Sequence, residues 1–227
     1  WDSDGKKYLD LTGAFAVAAT GHANPRVTKA GQAQLAKLPH AMGDVHPHPL
    51  KGQLARELSK LTFERWARTE FRHVHYRCLP HEIPPRHGKT IFCNSGFEAV
   101  EAALKTAHLA TGNPGVIALE GAYHGLGYGA LSTTHRQLFQ GPFKKQLGKF
   151  GHFAPFPVDE HAIDTTVAHV QKLFKKQAIG AVLVEPIQGR AGIRELPVRL
   201  MGHLSALCEE HHALLIFDEI YTGFGRT

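Results

Sequence analysis

Cysteine is scarce in this sequence of 227 residues, which carries isolated thiols at Cys78, Cys93 and Cys208 and no CxxC spacing. An odd and sparse set of cysteines argues against a disulfide framework and fits a reducing compartment, so a cytoplasmic protein is expected. His73 and His75 alternate as metal ligands do, but neighbouring residues do not complete a set of ligands. No metal site is therefore predicted.

The sequence also lacks a long apolar run. No stretch approaches the roughly 18 apolar residues of a membrane-spanning helix, so no membrane partner is expected. The formal net charge of +6 is spread over scattered pairs such as Lys6–Lys7 and Lys144–Lys145. No basic motif interleaved with aromatic residues is present, which argues against a nucleic-acid partner.

Neither end of the sequence has the features of a natural terminus. It begins at Trp1 with no Met and no secretory signal pattern, and it ends on the Gly-rich turn Gly225-Arg226-Thr227. We therefore expect the chain to be part of a longer protein.

Short apolar strands alternate with amphipathic helices along most of the chain. This alternation predicts an α/β fold with a mainly parallel sheet and helices on both faces. Strands are expected within 4–10 and at 89–93, 116–119, 181–184 and 214–217, with an extended segment at 153–158. Helices are expected at 24–38, 50–62, 97–109, 159–177 and 197–211.

Two segments of the first half differ from the rest in their residue pattern. Leu50, Leu54, Leu58 and Leu61 recur at helical spacing and are expected to face a core. Residues 63–88 are rich in Arg and His and have no sustained period, which indicates either a surface insertion or a shifted reading frame.

Polar or Gly-rich residues follow four of the predicted strands directly. Because ligands bind outside the carboxyl ends of strands in open α/β sheets, parallel strands would bring these clusters to one edge. The clusters are Asn94-Ser95-Gly96, residues 121–125, residues 185–189 and Asp218-Glu219.

Each cluster has a binding interpretation and a structural one. Ser95 and Gly96 open a helix, where free N–H groups and the helix dipole favour a phosphate, although Asn94 or Ser95 could simply cap the helix. Tyr123 or His124 could stack on a planar ring or be an aromatic residue packed on the surface.

Asp218 is the most informative of these residues. It follows four apolar residues, and a buried carboxylate needs a partner because an unpaired buried charge is costly. A protonated pyridine nitrogen would be such a partner and would keep the ring electron-withdrawing. A structural salt bridge or a turn cap is the alternative.

Five stretches in order resemble the class III aminotransferases, the subgroup II or ω-type enzymes of pyridoxal-phosphate (PLP) fold type I. Together they are specific, although no single stretch would be. They are WDSDGKKYLDLTGAFAVAATGHANPRV at the start, NSGFEAVEAALKTA at 94–107, GAYHGLGYGALS at 121–132, EPIQGRAG at 185–192 and DEIYTGFGRT at 218–227.

The resemblance implies a role for each matching residue. Ser95, Gly96 and Phe97 match the turn that holds the PLP phosphate, and Tyr123 matches the aromatic residue stacked on the ring, with His124 beside it. Asp218 matches the carboxylate bound to the ring nitrogen, and Glu185 matches a glutamate near the substrate side. Tyr221 stands where many members have Gln against the phenolic oxygen, and the motif GHANP replaces GHxHP.

The resemblance also implies the organisation of the protein. Residues 51–227 would form the PLP-binding large domain, incomplete at its C-terminal end. Residues 1–50 would belong to the small domain and the approach to the active site. The lysine that holds PLP covalently lies downstream of the GFGRT motif in this family, so no catalytic lysine is assigned. A homodimer is also implied.

The implied reaction moves an amino group from an amine or amino acid to a 2-oxo acid. A PLP-dependent aminomutase, racemase or decarboxylase of the same fold, a non-catalytic fragment, and an unrelated phosphate-binding protein stay as alternatives. Arg190 and Arg194 could meet a substrate carboxylate or be solvated surface residues.

Overall fold

The computed structural model describes residues 1–15, 17–43, 45–70 and 87–227. The chain divides into two compact units, unit 1 (Trp1–Ile91) and unit 2 (Phe92–Thr227). No helix in these described ranges is both long and apolar enough to cross a membrane.

The described part of unit 1 contains three helices, and the helical spacing of apolar residues predicted the first two. They are α1 (Pro25–Lys37), α2 (Pro49–Leu61) and α3 (Phe63–Glu70). The side-chain oxygen of Asn24 accepts the N–H of Arg26 at 3.1 Å, and a proline follows it at the first helical position. Both features fix the start of α1, because they satisfy or remove donors that have no partner within the helix.

Two predictions for unit 1 were wrong. Residues 4–10 form no strand; instead the Asp2 carboxylate accepts the N–H of Lys6 at 2.8 Å and closes a turn. The leucine stripe of α2 faces no core among the described residues, since Leu50 and Leu54 are each about half exposed.

The segment 63–88, which has no period in the sequence, begins as helix α3. Near its end, the N–H of Gly88 donates to the buried Ser59 hydroxyl at 2.8 Å. The rest of this segment, with His73, His75 and Cys78, lies outside the described residues, so the question of an insertion or a shifted frame stays open.

Unit 2 is built on a four-stranded parallel sheet in the order β2-β1-β3-β6. Its strands are β1 (Gly115–Leu119), β2 (Gly151–Ala154), β3 (Ile179–Val184) and β6 (Leu214–Phe217), while β4 (Ile187–Gln188) and β5 (Arg194–Glu195) form a small antiparallel ribbon. The helices are α4 (Gly96–Thr111), α5 (Tyr128–Ser132), α6 (Gln137–Gln140), α7 (Glu160–Lys176) and α8 (Val198–Glu210).

Helices cover both faces of this sheet. All residues of β1 and β3 are buried, as expected for central parallel strands. One core cluster joins them to α7 and α8, and another joins them to α4. The predicted fold class, a mainly parallel sheet between layers of helices, is confirmed.

Two further strand predictions need correction. Residues 89–93 form no strand, and Ile91 is 68% exposed, because an extended segment becomes a strand only when a neighbour pairs with it. Residues 214–217 do form β6, but this strand lies at the edge of the described sheet. Leu214 and Phe217 are therefore only partly covered, at 38% and 43% exposure.

Candidate functional site

The carboxyl ends of the parallel strands bring the predicted polar clusters together. Three of the clusters follow β1, β3 and β6, which are neighbours in the sheet. The N–H of Asp218 donates to the carbonyl of Val184 at 2.8 Å, so the ladder extends to the first residue of the last cluster. The fourth cluster is not preceded by a strand, but it lies beside the others: a Cβ at Gly96 would be 2.9 Å from Cδ1 of Ile220.

Asp218 has a polar partner at this edge. Its Oδ2 lies 2.8 Å from Nδ1 of His124, and the two side chains are 5% and 0% exposed. Its Oδ1 accepts the N–H of Ile220 at 3.2 Å. The structure therefore provides the buried carboxylate with a histidine, where the sequence predicts only that a partner is required.

The second ring nitrogen of His124 is a distinctive feature of the site. Nε2 is buried and has no hydrogen-bond partner in the described part of the chain. The backbone N–H of His124 donates to the Thr134 hydroxyl at 2.9 Å. His124 is therefore held by Thr134 at its main chain and by Asp218 at its side chain. A buried imidazole nitrogen without a partner marks a position where a further polar group would be accommodated.

Glu185 is a second buried carboxyl group in the same place. Its Oε1 accepts the N–H of Tyr123 at 3.0 Å. The pKa of Glu185 is raised from 4.5 to about 7, mainly by burial and also by the negative charge of Asp218, against the lowering effects of the Tyr123 N–H and of His124. The site thus contains one carboxyl group beside a histidine and another that holds a proton near neutral pH.

Helix α4 begins at this edge with unsatisfied donors. The Ser95 hydroxyl accepts the N–H of Glu98 at 3.4 Å, and the Glu98 carboxylate accepts the N–H of Asn94 at 2.7 Å. The N–H groups of Gly96 and Phe97 form no hydrogen bond with the described residues. Ser95 is therefore an N-cap. The first turn keeps free N–H groups that could donate hydrogen bonds to an anion.

Close backbone packing holds the start of α4 against the loop after β1. Gly125 has a φ of +118°, and a Cβ there would lie 2.4 Å from Cβ of Phe97. Only glycine meets both conditions at this position, because other residues avoid this conformation and a methyl group would overlap Phe97. The glycine-rich loop is thereby fixed next to the helix terminus.

Aromatic residues and an arginine form the outer part of the site. The Tyr123 ring meets Phe139 edge-on, with 5.3 Å between the ring centroids. The guanidinium carbon of Arg190 lies 4.3 Å from the Tyr123 centroid, and the neighbouring Tyr221 side chain raises the pKa of Arg190. Tyr123 and Tyr221, both predicted site residues, are therefore linked through one cation.

Sequence reasoning missed several residues that shape the site. Thr134 holds the backbone of His124, and Phe139 contacts Tyr123. Oε1 of Glu101 accepts the N–H groups of Gly129 at 2.7 Å and Ala130 at 3.0 Å and so holds the start of α5. Glu101 lies in the stretch NSGFEAVEAALKTA, but nothing in its spacing indicates a contact across 28 residues.

The arrangement offers complementary groups for a planar ligand that carries an anion. Donors for the anion lie at the start of α4, and an aromatic face lies at Tyr123. A carboxylate held by a histidine could bind a cationic ring nitrogen, and a protonated carboxyl group could donate to an oxygen.

Comparison with known proteins points to one family. The family model Aminotransferase class-III matches residues 1–227. The chain is 36% identical over 236 residues to the 5-aminovalerate aminotransferase DavT of Pseudomonas aeruginosa, covering all of this chain and 50% of that protein. It is also 36% identical over 229 residues to an acetylornithine aminotransferase of Methanopyrus kandleri, again covering all of this chain and 50% of that protein.

A solved structure gives the same result. The amine transaminase from an uncultivated Pseudomonas species, crystallised in its PLP-bound form, matches with a TM-score of 0.83 and 28% identity, covering 99% of this chain and 50% of that chain. The chain thus spans about half the length of the curated relatives it matches. By the match along its whole length and by its fold, this chain belongs to the class III aminotransferase family.

Proposed function

We propose that the protein containing this chain is a PLP-dependent aminotransferase that moves an amino group from an amine or amino acid to a 2-oxo acid. Membership of the class III family supports the reaction class. The observation that carries the proposal is the buried Asp218–His124 pair, which lies at the same sheet edge as the free N–H groups of Gly96 and Phe97.

The phosphate of PLP fits the start of α4. The N–H groups of Gly96 and Phe97 supply two donors, the Ser95 hydroxyl has a proton to donate, and the positive end of the helix dipole favours a dianion. Gly96 has no side chain, which lets Ile220 pack against the start of the helix.

The ring of PLP fits the buried polar groups. Asp218 would hold a proton on the ring nitrogen, and His124 Nδ1 would fix the orientation of that carboxylate. Tyr123 would stack on the ring, and Glu185 and Tyr221 would lie on the side of the phenolic oxygen and the substrate. When bound, the cofactor supplies an electron sink for the carbanion that forms when a substrate loses a proton.

The residues of this chain would act mainly by positioning and electrostatics. Asp218 would keep the ring nitrogen charged through both half-reactions. Glu185 would keep its carboxyl proton at or below neutral pH, because its pKa is raised to about 7. No lysine of this chain is assigned to proton transfer, and we propose that the rest of the protein supplies it.

The organisation of the whole protein is part of the same proposal. Residues 51–227 would form the PLP-binding large domain, and residues 1–50 would belong to the small domain. The proposed enzyme would be a cytoplasmic homodimer, which the sparse cysteines and the family resemblance support.

The test uses the purified full-length protein supplied with PLP. Visible cofactor absorption should appear on reconstitution and bleach on addition of an amino donor, and a 2-oxo acid should restore it. Product analysis then separates amino transfer from isomerisation, racemisation or decarboxylation. A folded protein that shows no such absorption would contradict the proposal.

A further inference from the structure

Arg190 is held firmly at the mouth of the proposed site. It lies in the turn Gly189–Ala191 that follows β4. Its guanidinium carbon is 4.3 Å from the Tyr123 ring centroid and 5.8 Å from that of Phe139. Its carbonyl accepts a hydrogen bond from Nη1 of Arg136 at 2.9 Å, so the main chain is fixed as well. The cation therefore has a defined position although its side chain reaches solvent.

The charge of Arg190 has no carboxylate partner among the described residues. Two other arginines of unit 2 use their guanidinium groups in contacts within the chain. Arg199 forms ion pairs with Glu160 at 3.8 Å and Asp164 at 2.6 Å. Nη2 of Arg194 donates to the carbonyl of Glu120 at 2.9 Å, and its guanidinium stacks on Phe156 at 4.3 Å.

Donors remain available on Arg190. A guanidinium group has five N–H donors, and none of those of Arg190 forms a hydrogen bond among the described residues. Two parallel donors on one edge match the two oxygens of a carboxylate, which is the interaction that arginine makes best. The stacking on Tyr123 holds the planar group and lowers the entropic cost of forming that interaction.

The position of Arg190 relative to the site makes a substrate carboxylate the fitting ligand. Arg190 touches Tyr123, whose N–H is bound by Glu185, and Tyr221, which is three residues beyond Asp218. The buried part of the site thus carries two carboxyl groups, while a cation lies at its mouth. A substrate bearing an anionic group would enter with that group toward solvent and toward Arg190.

We propose that Arg190 is a specificity-determining residue that binds a carboxylate of the substrate, in the amino donor or the 2-oxo acid acceptor. This proposal rests on the proposed aminotransferase function. The two free donors would hold the carboxylate, and the Tyr123 and Tyr221 contacts would fix its distance from the reacting carbon.

The experiment compares Arg190→Gln and Arg190→Lys with the unchanged full-length holoenzyme. Gln removes the charge, while Lys keeps a charge without the paired donors. The control is Arg199→Gln, which also removes an exposed arginine from unit 2, away from the proposed site. The measurements are KM for a 2-oxo acid, the half-reaction rate with an amine that lacks a carboxylate, and the Kd of glutarate, an unreactive dicarboxylate, by calorimetry.

We expect Arg190→Gln to raise the KM and the glutarate Kd by about 10- to 100-fold, the range for loss of a hydrogen-bonded charge. Arg190→Lys should give KM and Kd values between those of Arg190→Gln and the unchanged enzyme, and the amine rate should change much less than the KM for the 2-oxo acid. The control should match the unchanged enzyme in every measurement.

The experiment distinguishes failure of the Arg190 assignment from failure of the proposed function. If the unchanged enzyme transfers amino groups but Arg190→Gln leaves KM and glutarate binding as they were, or alters the amine rate equally, the assignment of Arg190 is wrong. If the unchanged enzyme transfers no amino group to any 2-oxo acid, the proposed function itself is wrong.

Discussion

The carboxylate of Asp218 and the imidazole of His124 meet across 94 residues of sequence. The sequence indicates that Asp218 needs a partner, because it follows an apolar strand. It cannot name the partner, since the contact depends on the order of strands in the sheet. The same limit applies to His124, for which the sequence suggests a stacked ring and the structure shows a buried hydrogen bond.

Replacing Asp218 by Asn should lower the rate of amino transfer by about 100-fold or more in the full-length enzyme. The variant keeps the size and one acceptor oxygen but loses the charge proposed to hold a proton on the ring nitrogen. A 100-fold loss corresponds to about 3 kcal/mol, the lower end for removal of one partner of a buried charged pair. The rate of bleaching of the cofactor absorption by an amino donor measures it.

The control for this change is Asp164→Asn, which removes a largely exposed carboxylate that pairs with Arg199. It should leave the bleaching rate unchanged, because exposed ion pairs contribute little and Asp164 lies on α7. Equal rates for Asp218→Asn and the unchanged enzyme would remove Asp218 from the proposed mechanism.

Among the elements, helix α4 shows how a structural and a binding role share one residue. The sequence leaves two interpretations for Ser95, a helix cap and a phosphate donor. The structure shows the cap, through the 3.4 Å contact with the N–H of Glu98, and leaves the hydroxyl proton and two neighbouring N–H groups available. The two roles are compatible because capping uses the oxygen as an acceptor.

Ser95→Ala should therefore change two quantities in the full-length protein. The free energy of unfolding should fall by about 1 kcal/mol, the usual cost of losing an N-cap. The affinity for PLP should fall by about 10-fold or more, because a charge-assisted hydrogen bond to the phosphate is lost. Denaturant unfolding of the cofactor-free protein and a PLP titration measure the two effects.

A matched cap on α7 separates these effects. Asp159 accepts the N–H of Ala162 at 2.8 Å and caps that helix. Asp159→Ala should lower stability by a similar amount and leave PLP affinity unaltered. If Ser95→Ala also left PLP affinity unaltered, Ser95 would act only as a cap.

The sequence predicted the helices of unit 2 better than the strands, because a helix depends on local residues and a strand depends on a neighbour. Helices α4, α7 and α8 lie within a few residues of their expected positions, because helical spacing and, in α4 and α7, a side-chain cap determine where they lie. The strand expected at 89–93 is absent, because a strand depends on a neighbour that local sequence does not specify. For the same reason, burial of β6 was overestimated from its four apolar residues.

On the scale of the whole molecule, the parallel sheet accounts for the site. Parallel strands with helical connections place every strand-to-helix loop at one edge, so β1, β3 and β6 bring together residues distant in sequence. This placement was predictable from the alternation of strands and helices. The contacts of Arg190 with both tyrosines were not, since they depend on side-chain packing at the mouth of the site.

The site also affects the stability of the whole protein through Glu185. Its pKa is 4.5 in a model peptide and about 7 in the folded protein, so the folded state binds a proton that the unfolded state releases between those values. The stability contributed by this group is therefore fully present below about pH 4.5 and is lost as the pH rises through about 7. Functional sites often contain such a buried ionisable group, although its burial lowers the stability of the folded protein at high pH.

Glu185→Gln should remove this pH dependence. Glutamine keeps an oxygen to accept the Tyr123 N–H and cannot ionise, so the stability of the variant relative to the unchanged protein should increase by about 1–3 kcal/mol between pH 5 and pH 8, given 1.36 kcal/mol per pKa unit. Unfolding of the cofactor-free full-length protein at several pH values measures the difference.

Glu209→Gln, at an exposed position on α8, is the control and should show no such trend. A difference between Glu185→Gln and the unchanged protein that stayed constant with pH would show that Glu185 ionises normally, and the proton assigned to it in the proposed site would then be absent at neutral pH.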